Sequence, residues 1–314
     1  MLPYARLVPG PGFQPIRAAL YYGQRFVVAP RLRRVVARCL GTAIAWRHGA
    51  AACRSSSPAE EAELQTAVAT LHHRGLAPLQ PLLSPKAVEE MMAWLKSRPV
   101  VGPDGSAIPL ADLPPGTTNA AYSLSTILAC PHILDIINNP QVVEIARRYI
   151  ACRPTVSGLG LRWSLPRPAR ATDVQAFHRD PDDWRFVKLF IYLTDVDLKS
   201  GPHVYVAGSH RTRAPFLSHL YKPEELVRQY GAEAFTPITG PAGTSFIADT
   251  YGIHAGLVPE DRPRLLLQVQ YSVLPVFAFR YAPEPVRSAG RFDRYMNRLL
   301  LEPPQGSRHP GAAA

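Results

Sequence analysis

The chain has 314 residues, 46% of them apolar, and a net charge of +11. That is enough apolar side chain for one large β-core with added helices, and 33 prolines argue against a mostly helical protein. The charge is uneven: residues 1–58 hold nine arginines and no acid, so 11 − 9 leaves +2 for the rest, which argues against a nucleic-acid-binding core.

Residues 1–57 read as a basic leader, helical or flexible. Within it APRLRRVVARCLGTAIAW (29–46) has a helical pattern with arginines on one side. It is expected to dock on the body or lie on its surface. Peripheral contact with anionic lipid or an acidic partner is the next reading, and an organelle-targeting segment a third. The apolar run CLGTAIAW is far short of the ~20 residues a spanning helix needs. Cys39, Cys53, Cys130 and Cys152 form no CxxC or zinc-knuckle spacing, so free thiols and a cytoplasmic location are expected.

A single catalytic domain is expected over 58–280. Its first part, 58–152, reads as helices. Ser57-Pro58-Ala59-Glu60 is a capping box with proline at the first helical position, and Gly75 is the stop signal. Ser84-Pro85 and Asn139-Pro140 repeat the cap-then-proline start, and LAPLQPLL between the first two helices suggests a short strand. From 153 to 280 the pattern changes to short β-rich runs broken by Gly, Pro, Asp and Ser: VSGLGLRW, VKLFIYLT, HVYVAG, GTSFIADT and RLLLQVQYSV. These predict an antiparallel sandwich or barrel. Residues 281–314 read as a short helix around RFDRYMNRLLL and a mobile tail.

The chemistry concentrates in QAFHRDPDDW (175–184). On a strand, residues i and i+2 share a face, so His178 and Asp180 can aim at one point. The candidate third group is His254, directly after GTSFIADTYGI. Two histidines and one carboxylate with open positions form the facial triad of non-haem Fe(II) oxygenases. Arg264 opens the next strand and suits a bidentate pairing with a co-substrate carboxylate; Arg262, across Pro263, is its competitor. His72 and His73 are adjacent on a helix and diverge, and His203 and His210 read as structural residues beside turn glycines.

In that order, His178-Arg179-Asp180, VKLFIYLTDVD, SGPHVYVAGSH, GTSFIADTYGIHAG and RPRLLLQVQYS resemble the phytanoyl-CoA dioxygenase family of Fe(II)/2-oxoglutarate-dependent oxygenases, over about residues 60–275. The resemblance implies a mainly β fold, a double-stranded β-helix or jelly roll with N-terminal helices packed around it. It implies Fe(II) on His178, Asp180 and His254, with 2-oxoglutarate and O2 as co-substrates. Arg264 would hold the far carboxylate of 2-oxoglutarate, with Gln175 within reach of it. Members often carry a hydroxyl two residues after the distal histidine; Gly256 stands there, so that bond is missing or comes from elsewhere. Trp184 matches an aromatic beside the substrate in some members, and Trp163 and Phe186 are further candidate walls. Asp180 is present where halogenating relatives have a small residue, which favours hydroxylation of a small or lipid-like molecule with release of succinate and CO2.

Two other readings stand beside this one. One is a catalytically idle jelly-roll binding module. The other is a non-redox metalloenzyme, such as a zinc hydrolase, using the same triad. The sequence names neither the substrate nor the oligomeric state.

Overall fold

The computed structural model describes residues 7–49, 57–166, 176–215 and 219–303. The C-terminal end of the expected tail, Gln175, and parts of the leader lie outside the described residues.

The helices begin where cap and proline signals place them. α1 (Pro15–Phe26), α2 (Pro30–His48) and α3 (Pro58–Arg74) each have proline in the first turn. The Ser57/Glu60 capping box closes on both sides, and α3 ends on Gly75 at φ 84°. Next come β1 (Leu76–Leu79), α4 (Pro85–Lys96), β2 (Val100–Val101), β3 (Ala107–Ile108), β4 (Asn119–Ala121), α5 (Leu124–Ala129), α6 (Ile133–Ile137) and α7 (Pro140–Ile150). Ser84 and Asn139 cap α4 and α7 as their sequences suggest. Arg148 of α7 pairs bidentately with Glu61 of α3 and also reaches buried Glu144, which ties the two helices together.

The β-core follows: β5 (Thr155–Ser164), β6 (Phe186–Tyr192), β7 (His203–Val206), α8 (Pro223–Tyr230), β8 (Phe235–Ile238), β9 (Ser245–Ala248), β10 (His254–Gly256) and β11 (Arg264–Ser272). Beyond it lie β12 (Glu284–Pro285), α9 (Arg294–Asn297) and β13 (Leu301–Glu302). The major sheet runs β1-β9-β6-β11-β5-β4-β2-β3, and the minor sheet β10-β7-β8. The paired strands of both are antiparallel. This is the jelly roll expected, with helices packed on the major sheet.

Period-two alternation sorts the side chains. On β6, Val187, Leu189 and Ile191 join the large cluster between sheet and helices, while Phe190 and Tyr192 join the cluster between the sheets. On β11, Leu265, Leu267, Val269 and Tyr271 face the helices. That leaves Arg264, Leu266, Gln268 and Gln270 for the inner face. An inner face this polar needs partners inside, which is where the site lies.

Candidate metal centre

His178 precedes β6 and His254 opens β10. The two are joined as an isolated antiparallel bridge: His178 N–H donates to His254 O at 2.9 Å, and His254 N–H to His178 O at 3.0 Å. Asp180 N–H donates to Thr250 O at 2.8 Å, which fixes the loop end on the turn before β10. The result is a cluster of His178, Asp180 and His254 whose ligand atoms lie within 4.8 Å of one another. His178 Nε2 is 3.4 Å from Asp180 Oδ1, and His254 Nε2 is 3.4 Å from Asp180 Oδ2.

The ring orientations are set by the backbone. His178 Nδ1 lies 2.8 Å from Ala176 O, and His254 Nδ1 3.0 Å from Gly252 O. A carbonyl can only accept, so each Nδ1 carries the proton. Each Nε2 lone pair then faces the cluster, the arrangement a metal-bound histidine needs. Burial alone would push the Asp180 carboxyl up. The Lys188 ammonium, then His254 and the hydrogen bonds from both histidines, outweigh it and hold it well below the usual carboxylate range. Burial keeps His254 below its ordinary value. At His178 burial acts the same way, but Asp180 overrides it and raises the group.

Two cations on the inner face escaped the sequence reading. Lys188 of β6 donates to Asp180 Oδ2 at 2.7 Å and contacts Asp182 at 3.1 Å. Arg162 of β5 is half-buried, and the Asp180 charge acts on it. Both sit in apolar runs, VKLFIY and GLRWS, and the signal was their parity within the strand. His203, read as structural, stacks on His254 with centroids 5.3 Å apart. Burial holds it far below its ordinary value, so it is neutral.

Arg264 is 3% exposed, on the register partner of Ser164. Its guanidinium donates to Ser164 Oγ at 3.0 Å and to Gly201 O, and no carboxylate among the described residues lies within 4.0 Å. The competitor Arg262 is surface-exposed and pairs with Asp197 and Asp261. A Cβ on Gly256 would stand 3.0 Å from Arg264 Nη2, so a side chain at Gly256 would crowd the guanidinium.

The aromatic candidates divide. Phe186 is on the inner face, its ring 5.7 Å from Lys188 Nζ. Trp163 is not a wall: one residue from Arg162, it points the opposite way into the helix-side core, where Nε1 donates to Tyr122. Trp184 lines a separate cavity beneath Arg33. Arg264 Nε and His203 Nε2 are buried without partners. Together with the nitrogen-and-oxygen donor set, such orphans fit a divalent metal with a small polar molecule beside it.

Fold and cluster define a jelly-roll protein with two histidines and one carboxylate gathered between its sheets. The sequence matches the family model described as Phytanoyl-CoA dioxygenase (PhyH) over residues 71–257, and the chain belongs to that family. No curated protein matches it. Among solved structures it is similar to the epimerase SnoN in complex with Fe3+, alpha ketoglutarate and nogalamycin RO, at 18% identity over 67% of this chain and 84% of that one, TM-score 0.49. It is also similar to EctD from S. alaskensis with bound Fe, at 15% identity over 82% and 91% of the two chains, TM-score 0.48. A third is HygX from Streptomyces hygroscopicus with nickel, 2-oxoglutarate and hygromycin B, at 14% identity over 72% and 93%, TM-score 0.46.

Proposed function

We propose that the protein is an Fe(II)- and 2-oxoglutarate-dependent dioxygenase that hydroxylates a small or lipid-like molecule. The observation that carries this reading is the pairing of the His178/Asp180/His254 cluster with a buried Arg264 that has no carboxylate partner among the described residues.

Iron, held by His178, Asp180 and His254, would supply O2 activation coupled to oxidative decarboxylation of 2-oxoglutarate. The chain supplies the rest. His178 and His254 present Nε2 because Ala176 O and Gly252 O hold their Nδ1 protons. Lys188 donates to Asp180 Oδ2 and keeps the carboxylate ionised, the form in which it would hold a metal. Arg264 takes the far carboxylate of the co-substrate, and the Ser164 hydroxyl replaces the one Gly256 lacks. Phe190, Tyr192 and Leu266 keep the space between the sheets dry, and Arg162 puts a second positive charge on its wall.

The test is an anaerobic titration of metal-free protein with Fe(II), then 2-oxoglutarate, following the weak visible charge-transfer band of the chelate. A band that is lost in His178→Ala supports the proposal. Fe(II) bound without a band on adding the keto acid would point instead to a non-redox metal site.

A further inference from the structure

A cavity of about 220 Å³ lies outside the triad, where the leader helix α2 meets the barrel. Arg33 and Arg34 of α2, Arg185 before β6, and Arg211 line it, with Asp249 as its one carboxylate. We propose that this cavity is a binding site for a phosphate group, free or as a phosphomonoester.

The charge is unbalanced. Four guanidinium groups face one carboxylate, and Asp249 is already engaged by the Tyr149 hydroxyl at 2.5 Å and the Tyr251 N–H at 3.0 Å. No carboxylate oxygen among the described residues lies within 4.0 Å of a side-chain nitrogen of these four arginines; of Asp183, Arg33 reaches only the backbone carbonyl. Arg185 is 8% exposed and packed on Tyr149 at 4.4 Å, whose hydroxyl it also hydrogen-bonds; its Nη2 meets the weak acceptor His72 Nδ1 at 3.3 Å, and no carboxylate pairs with it among the described residues. A buried cation in that position is costly until an anion joins it. Arg33 spends its donors on Gln24 O, Val27 O and Asp183 O, so it contributes charge rather than contacts. Arg34 and Arg211, exposed at the rim, are free to close on a ligand.

The backbone adds to this field. Pro30, at the start of α2, lines the same cavity, and the first turn of that 19-residue helix has neither an acid nor a side-chain cap. That end of the helix therefore borders the space with its partial positive charge uncompensated by any side chain of its first turn. His72, drawn down to about 4 by burial and then by Arg185, stays neutral at physiological pH. The volume is below the ~300–1,000 Å³ of pockets that enclose a whole ligand, so it suits an anionic group rather than a large molecule. The cavity also shares a wall with the triad. Asp249 and Tyr251 line it, while Thr250 O between them holds Asp180 N–H and Gly252 O holds the His254 ring.

The test uses metal-free full-length protein, so it stands apart from the iron reading. Inorganic phosphate and glycerol 3-phosphate are titrated in parallel by calorimetry and by Trp184 fluorescence. Saturable binding of either is expected, weakened at least tenfold in Arg34→Ala/Arg211→Ala, whose exposed side chains are dispensable for folding. Tighter binding of the ester marks a phosphomonoester site, and equal binding marks free phosphate. Trp184→Phe should lose the optical signal and keep the heat. No saturation with either probe, or binding unchanged in the double variant, overturns the proposal.

Discussion

Lys188 Nζ lies 2.7 Å from Asp180 Oδ2 and 3.1 Å from Asp182, so one buried ammonium is shared between a candidate metal ligand and its neighbour. Burial alone would lower Lys188; the two carboxylates reverse that and raise it. Lys188→Met leaves both acids without their shared cation. Removing one partner of such a buried pair costs about 3 kcal/mol. A divalent metal then becomes the main counter-charge for Asp180. Thermal unfolding with and without Mn(II) should therefore show a larger metal-induced rise in Tm for the variant than for the wild type. Equal rises would mean Lys188 and the metal do not share Asp180.

Arg264→Met should separate metal binding from co-substrate binding. The side chain touches Ser164 and Gly201 O, and no triad residue. Fe(II) affinity is expected within about threefold of wild type, while the 2-oxoglutarate Kd rises at least a hundredfold, as a lost charge-assisted pair of roughly 3 kcal/mol requires. Unchanged 2-oxoglutarate binding would remove Arg264 from the site.

Asp183 carries a pH signature. Burial raises its carboxyl from 3.8 to about 7, against hydrogen bonds from Leu274 N–H and its neighbours. The folded state keeps the proton while the unfolded chain releases it. The Asp183 contribution to stability is therefore fullest below pH ~4, declines as pH rises from ~4 to ~7, and levels off above, a fall of about 4 kcal/mol. Asp183→Asn should flatten this part of the Tm–pH profile and gain on wild type at pH 8. Parallel profiles would show that Asp183 stays ionised in the fold.

Gly75→Ala tests the junction of α3 and β1. Gly75 holds φ 84°, and a Cβ there would run into the Tyr205 hydroxyl and His210 Nδ1. Strain and overlap together predict a loss of 3 kcal/mol or more, on the order of the larger overpacking penalties. Ser57→Ala, at the other end of the same helix, should cost only about 1 kcal/mol. Chemical denaturation of both variants gives the comparison.

Much of this was legible because it is local. Ser57, Ser84 and Asn139 announced their helices, since cap chemistry is written in adjacent residues. His178, Asp180, His254 and Arg264 were visible through their places at strand ends. Arg162 and Lys188 were hidden because a single charge in an apolar run reveals its direction only once strand parity is fixed, and parity depends on register with β11. The same parity removes Trp163 from the site. The arginine-lined cavity could not be read at all: it joins residues from 30 to 251, brought together only by the docking of α2.

That docking has a consequence for how the chain is made. Gln24 and Arg33 find their partners at Asp183, 159 and 150 residues later. At ribosomal speeds of ~5–20 residues per second, α1 and α2 wait on the order of ten seconds before their anchor is synthesised. Through that interval the faces holding Ala18, Ala37 and Gly41 stand uncovered on a strongly basic, acid-free segment. The part of the polypeptide that emerges early is fastened late, and a nascent-chain chaperone would meet it in that unfastened state.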